Sequence, residues 1–265
     1  MNQENSSKSV LITGGAGDIG LAVARQMAAR EFDIAVLDVI STQVAEERLA
    51  PLRDQGVNVL YLEADVRDRQ MVETALTTLW NTFERLDVCV CNAGVANDQP
   101  FADVSVEEWQ RHIDINLNGY FHVSQAVARR WIAEKHQGKF IFMGSWVQDV
   151  PYQLITPYCV SKAGVWMLAR CIAIELAPHG ITTNVVAPGI LDAGLSKQEM
   201  EEHPEFREKF SRIIPRGRMQ TPDDVANVVT FLTSAQADYL TGSSILCDGG
   251  CLVGAPSMNM HEDES

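Results

Sequence analysis

Seven short apolar runs recur along the chain, bounded by glycine or aspartate: "SVLITG", "DIAVLDV", "NVLYLEADV", "LDVCVCNAG", "GKFIFMGS", "ITTNVVAPG" and "SSILCDGG". Runs of this length and character read as strands buried on both faces, which belong to parallel sheets. Longer segments with 3.6-residue periodicity separate them, among them "IGLAVARQMAAR", "RQMVETALTTLWNTF" and "VEEWQRHIDINLNGYFHVSQAVARRWIAEK". A further one, "YCVSKAGVWMLARCIAIELAPHG", closes on Pro178, His179 and Gly180, a helix stop. The alternation predicts an α/β fold, a Rossmann-type doubly wound sheet of seven parallel strands with right-handed crossovers. The 265 residues suit a single domain, with no internal repeat or linker. Two segments break the rhythm. Residues 193–221 form a charged insertion and a candidate substrate lid. Residues 255–265 form an acidic polar tail, expected to be loose.

Composition narrows the function. A net charge of −14 disfavours nucleic acid and anionic membrane as partners. No apolar run approaches the ~20 residues that span a bilayer. The start, "MNQENSSKSV", lacks the apolar core of a signal peptide, so a cytoplasmic protein is expected. The six cysteines have no metal spacing, and neither a metal site nor a disulfide framework is expected. Cys89 and Cys91 should face one side of a strand as packed thiols, and Cys159 should pack within a helix.

The first apolar run leads into Gly15-Ala16-Gly17-Asp18-Ile19-Gly20, a G-x-G-x-x-G turn between a strand and a helix. Glycines let the backbone approach a pyrophosphate, whose charge meets the free N–H groups of the helix start. The second run ends at Asp38, placed to accept hydrogen bonds from both ribose hydroxyls of an adenosine and to repel a 2′-phosphate. No arginine or lysine stands at residues 15–17 or at Val39, so NAD rather than NADP is expected. Asp65 and Val66 close the third run, where a carboxylate suits the adenine amino group. Asn92-Ala93-Gly94 closes the fourth in a small-residue turn that lets the chain pass near the cofactor. All of these fall on the carboxyl edge of the sheet, where doubly wound folds bind ligands.

Tyr158 and Lys162 are spaced i, i+4 and share one helix face. A phenol with a pKa of about 10 is a poor base at neutral pH, and a nearby ammonium favours its phenolate. Ser145, at the end of the fifth run, can hold a substrate oxygen beside that phenol. Asn116 lies in a long helical segment, where its amide could hold a water linking Lys162 to solvent.

With these residues in place, the chain resembles the short-chain dehydrogenases/reductases from about Lys8 to Val253. The motifs that carry the resemblance are Thr13-Gly14 with Gly20, Asp65, Asn92-Ala93-Gly94, Asn116, Ser145, Tyr158, Lys162, Pro188-Gly189 and Asp248-Gly249-Gly250. The resemblance implies that Tyr158 is the acid/base and that Lys162 lowers its pKa and binds the nicotinamide ribose. It further implies that Ser145 orients substrate and Asn116 supports a proton relay. Gly14, Gly17, Asp18 and Ile19 would line the cofactor, and the backbone of Ile190 would hold the nicotinamide amide. Members of the family are commonly tetramers, so a homotetramer is expected. Three positions depart from the family pattern. Asp18 stands where the pattern has glycine; the expectation is that it caps the helix, the rival that it weakens cofactor binding. Ala193 stands where many relatives have a threonine that bonds the nicotinamide amide, a contact then lost or replaced by Asp192 or Ser196. Thr182 replaces a frequent arginine, with no functional consequence drawn.

The expected substrate is a small-molecule alcohol or ketone. Residues 146–157 carry Gln148, Asp149, Tyr152 and Gln153, a polar wall that suits a sugar or polyol better than a steroid or acyl chain. The stretch "FREKFSRIIPRGRMQTPDDVA" resembles glucose-dehydrogenase-like members. Lys197, Arg207, Lys209 and Arg212 in the insertion could greet an anion, but interleaved glutamates favour a solvated face; Arg216 and Arg218 read as structural. Two rival readings are a carbonyl reductase of 3-oxoacyl or other ketone substrates, and an NAD-binding sensor without turnover.

Overall fold

The computed structural model describes residues 7–194 and 204–254, without the side chains of residues 204–206 and 209. Seven strands form one all-parallel sheet: β1 (Ser9–Thr13), β2 (Asp33–Asp38), β3 (Val59–Glu63), β4 (Val88–Cys91), β5 (Lys139–Met143), β6 (Thr182–Pro188) and β7 (Ser244–Cys247). Their order is β3-β2-β1-β4-β5-β6-β7, so the direction of winding reverses beside β1. That reversal opens the crevice where such sheets take ligands. The seven apolar runs are these seven strands, and the α/β single-domain fold stands as expected.

Strand alternation divides the core into two layers. Leu11, Leu37, Cys89, Cys91, Phe140 and Phe142 face one side. They pack on α3 (Arg69–Phe83), α5 (Gly119–Glu134) and α6 (Thr156–Leu176). Val10, Ile12, Val36, Val90, Ile141 and Val186 face the other. They meet α1 (Asp18–Ala28), α2 (Thr42–Arg53) and α8 (Pro222–Thr233). Cys89 and Cys91 do share a face, with sulfurs 4.0 Å apart, and all six cysteines are free. Two more helices complete the frame, α4 (Val106–Ile113) and, within the insertion, α7 (Pro204–Ile213).

The turn after β1 needs two of its glycines. Gly14 has φ +61°, and a Cβ there would lie 2.8 Å from the Cα of Ala93. A Cβ on Gly20 would lie 2.5 Å from the carbonyl oxygen of Gly14. The turn is therefore welded to β4 on one side and to the first turn of α1 on the other.

The long helical segment of the sequence is not one regular helix. Between α4 and α5 lies a π-helical turn, Asp114–Asn118. The extra residue in that turn puts Asn116 in the interior, fully buried. Nothing in the 3.6-residue pattern marks this change of pitch.

Candidate active site

The carboxyl ends of the strands border a cleft of about 590 Å³. Gly14, Gly17, Asp18 and Ile19 line one wall. Asp38, Asp65 and Val66 line the far end. Asn92, Ala93 and Gly94 form the floor, and Tyr158, Lys162 and Gly189 the near end. The fold thus brings together most of the residues expected from sequence. Ser145 and Asn116 stand behind the lining, and Pro188 ends β6 beside Cys247. Ile190 packs with Ile214, Met219 and Cys251 away from the cleft, while its carbonyl accepts from the N–H of Gln220 at 3.0 Å.

At the near end, the Ser145 hydroxyl is hydrogen-bonded to the phenol of Tyr158. The expected lowering of the phenol pKa does not occur. Burial pushes Tyr158 up to about 12, and the Ser145 bond offsets this only in part. The reason lies in where Lys162 points. Its ammonium donates to the carbonyl of Met143 at 2.8 Å and to the hydroxyl of Tyr120 at 3.4 Å. It sits over the faces of two rings, 5.5 Å from the centre of Tyr158 and 5.3 Å from that of Tyr120. Burial lowers Lys162 itself to about 7. Desolvation acts on both groups and outweighs the field of the ammonium at the phenol.

Asn116 does not offer its amide to solvent. Its Nδ2 donates to the carbonyl of Val95 at 2.9 Å and to Ser161 Oγ at 3.1 Å. Its Oδ1 accepts the N–H of Val95 at 2.8 Å. The carboxamide is spent on pinning the chain after β4, so its support for the site runs through Val95.

At the far end, Asp38 accepts from the N–H groups of Ala16 at 3.1 Å and Val39 at 2.8 Å. These bonds orient the carboxylate and leave lone pairs for a ligand. Asp65 is engaged by Arg67, whose Nε and Nη2 donate to Oδ2 at 2.8 and 2.6 Å. Burial would raise that carboxyl, but the Arg67 bonds win and hold it below its ordinary value.

Asp18 does not cap α1. The N-cap is Gly17, and no side chain bonds the first N–H groups of the helix. Asp18 is one residue too far inside. A capping oxygen must come from the residue before the first turn, whereas a side chain at the first helical position leans outward. Its carboxylate instead accepts the N–H of Gly194, at 2.7 Å.

The expected polar wall is also absent from the cleft. A 3₁₀ turn, Trp146–Gln148, rolls these side chains inward. Gln148 is buried and donates to Ser244 Oγ at 2.8 Å, while Trp146 meets Tyr152 edge to face at 5.6 Å. Asp149 and Gln153 are exposed. In the insertion, Arg207 is paired with Asp192 at 2.6 Å and Arg212 with Glu208 at 2.5 Å, as a solvated face would be. Arg218 grips Asp224 at 2.6 and 2.8 Å in front of the α8 capping box. Lys197, Ser196, Glu199, Glu201 and Glu202, the side chains of Glu205 and Lys209, and the tail at 255–265 lie outside the described residues.

The sequence reading passed over three arginines that line the cleft, Arg48, Arg67 and Arg111. It also passed over Tyr120. Arg48 reaches from α2 to the carbonyl of Ala16, at 3.0 Å. Its approach depends on how α2 is rotated, which no local motif encodes. Tyr120 was more legible, one helical turn beyond Asn116.

These residues fit a nicotinamide dinucleotide. The first N–H groups of α1 lack intrahelical partners and a side-chain cap, a ready site for a pyrophosphate. Around them the lining carries Arg48, Arg67, Arg111 and Lys162 against Asp18, Asp38 and Asp65. Among the described residues, no group of three or more His, Cys, Asp or Glu side chains could hold a metal, and no helix is long and apolar enough to cross a membrane.

Comparison with known proteins shows the family. A family model described as Enoyl-(Acyl carrier protein) reductase matches residues 14–251. The chain is 32% identical to 3beta-hydroxysteroid dehydrogenase 1 of Eggerthella lenta over 94% of its length and 95% of the relative's. It is 33% identical to L-rhamnose 1-dehydrogenase (NAD(P)(+)) of a Sphingomonas species, over 93% and 96%. The crystal structure of acetoin dehydrogenase from Enterobacter cloacae superposes with a TM-score of 0.86 at 28% identity, covering 97% of this chain and 100% of that one. The chain belongs to the short-chain dehydrogenase/reductase family of oxidoreductases.

Proposed function

We propose that this protein is a cytoplasmic NAD-dependent dehydrogenase that interconverts a secondary alcohol, of the sugar or polyol class, and its ketone. The observation that carries the reading is the buried Ser145–Tyr158–Lys162 group at the near end of the cleft. When bound, the dinucleotide supplies the hydride chemistry. Ser145 holds the substrate oxygen. Tyr158 takes the hydroxyl proton in oxidation and returns it in reduction. Lys162 stands over the phenol ring, fixed by the carbonyl of Met143, and in its protonated form, which burial confines to pH values near 7 and below, it favours the phenolate. Asn116 keeps Val95 in place beneath the site, and Asp38 receives the adenosine ribose.

The substrate class is supported by L-rhamnose 1-dehydrogenase and acetoin dehydrogenase, relatives named for small, hydroxyl-rich or hydroxy-ketone compounds. Reduction of an acyl-thioester ketone is the competing reading, favoured by the acyl-carrier-protein reductase family model that the chain matches. One screen separates them. The purified protein is given NAD or NADP with sugars, polyols, hydroxy acids and secondary alcohols, and NADH or NADPH with 3-oxoacyl thioesters, and absorbance at the nicotinamide band is followed. Turnover of a sugar or polyol with NAD is expected, and Tyr158→Phe should lower kcat by about a thousandfold while dinucleotide binding persists. Turnover confined to thioesters would overturn the substrate class. Dinucleotide binding without turnover of anything would leave the sensor reading.

A further inference from the structure

The loop after β6 is zipped along one side to Gln220. Gly189 N–H donates to Gln220 Oε1 at 3.0 Å, and Asp192 N–H donates to the Gln220 carbonyl at 2.9 Å. Leu191 forms a β-bridge with the same residue. That zipper ends at Asp192, whose carboxylate turns to Arg207. The chain then reaches across to the turn after β1, where Gly194, at φ +58°, gives its N–H to Asp18 Oδ2 at 2.7 Å. Among the described residues this is the one hydrogen bond joining the two loops. Both of its ends line the cleft, and it crosses the mouth where a pyrophosphate would lie against the start of α1.

We propose that Asp18 is a positioning residue, a clasp that holds the loop at 189–194 over bound dinucleotide and slows its release. Two departures noted in the sequence then have one explanation. Ala193 has no hydroxyl to tie this loop to the ligand, and Asp18 ties the loop to the protein instead. The carboxylate's repulsion of a pyrophosphate acts in the opposite direction, and the helix N-terminus offsets it.

The inference rests on the reading of the cleft as a nicotinamide dinucleotide site, and the test separates the two. Asp18→Asn removes the charge but keeps an acceptor for Gly194; Asp18→Gly and Asp18→Ala remove both, the alanine guarding against a loosened helix start. NADH is the probe, with affinity and release followed by its fluorescence. Backbone hydrogen exchange is measured in the peptide covering residues 189–194. We expect release from the Gly and Ala variants to be about tenfold faster, the worth of one net hydrogen bond. KM for the dinucleotide should rise, and exchange at 189–194 should quicken. Asp18→Asn should stay within about twofold of the parent, or bind tighter. If the Asn, Gly and Ala variants behave alike, the carboxylate acts through charge alone and the clasp is wrong. If the parent binds neither NADH nor NADPH, the reading of the cleft fails first.

Discussion

Lys162 and Tyr158 are neighbours whose burial drives their pKa values in opposite directions, to about 7 and about 12. This has consequences for stability as well as for chemistry. Between pH 7 and 10.5 the unfolded chain carries a proton on this lysine that the folded chain does not, so stability rises with pH across that window. It is lost as pH falls toward 7, on the order of 5 kcal/mol in all. For Tyr158 the sign reverses. The folded chain keeps a proton that the unfolded chain sheds between pH 10 and 12, so its contribution is present below 10 and lost as pH climbs to 12. Thermal unfolding against pH checks both. The difference between the parent and Lys162→Met should rise between pH 7 and 10, and that between the parent and Tyr158→Phe should fall above 10. Chemistry follows the same protons. At neutral pH the phenol is protonated, the form that donates to a ketone oxygen, so alcohol oxidation should accelerate with rising pH while ketone reduction is served near neutrality.

The far end of the cleft holds another residue-level contest. On the proposed reading Asp38 would favour ribose hydroxyls over a 2′-phosphate, yet Arg48 lines the same cleft. Removing the carboxylate, as in Asp38→Ser, should lower kcat/KM for NAD by tenfold or more and raise it for NADP, since each 1.4 kcal/mol is tenfold. Adding Arg48→Ala should cancel the gain with NADP. If NADP is unaffected by Arg48→Ala, the guanidinium serves only the carbonyl of Ala16.

At the scale of elements, the π turn at Asp114–Asn118 is what buries Asn116 and lets it bond both backbone groups of Val95. Asn116→Ala leaves that N–H and C=O without partners in the interior. It should cost about 2–3 kcal/mol, measured by denaturant unfolding, and should lower kcat more than it raises KM. The same element shows what a sequence can and cannot convey. Strands are written in runs of apolar residues, and all seven could be read, because burial on both faces demands them. The Tyr158–Lys162 pair was legible because i, i+4 spacing is local. The π turn was not, since one inserted residue hides within helical periodicity. The inward roll of Gln148 and the reach of Asp18 to Gly194 were not either. Both depend on partners far along the chain, 96 and 176 residues away.

For the whole molecule, charge and apolar surface point to different partners. A chain of net −14 sets Arg48, Arg67, Arg111 and Lys162 against Asp18, Asp38 and Asp65 around one cleft, so an anionic dinucleotide meets a lining far closer to neutral than the chain as a whole. The outer face of α6 presents a stripe seven residues apart, Val160, Met167 and Ile174, exposed by 45%, 53% and 78%. Such spacing is a seam for a facing helix, and Phe121 and Ile132 are exposed on α5. At the open edge of the sheet, beside β7, Leu246 and Val253 are exposed as well. Two separate apolar faces on one chain fit the homotetramer expected from the family resemblance, which needs two kinds of contact. A charge placed in the α6 seam tests this. Ile174→Glu should leave the fold intact by circular dichroism, because the side chain is already in solvent, yet split the parent tetramer into smaller species in sedimentation. A parent that sediments as a monomer, or a variant that sediments with it as a tetramer, would show that the stripe faces water and that the seam lies elsewhere.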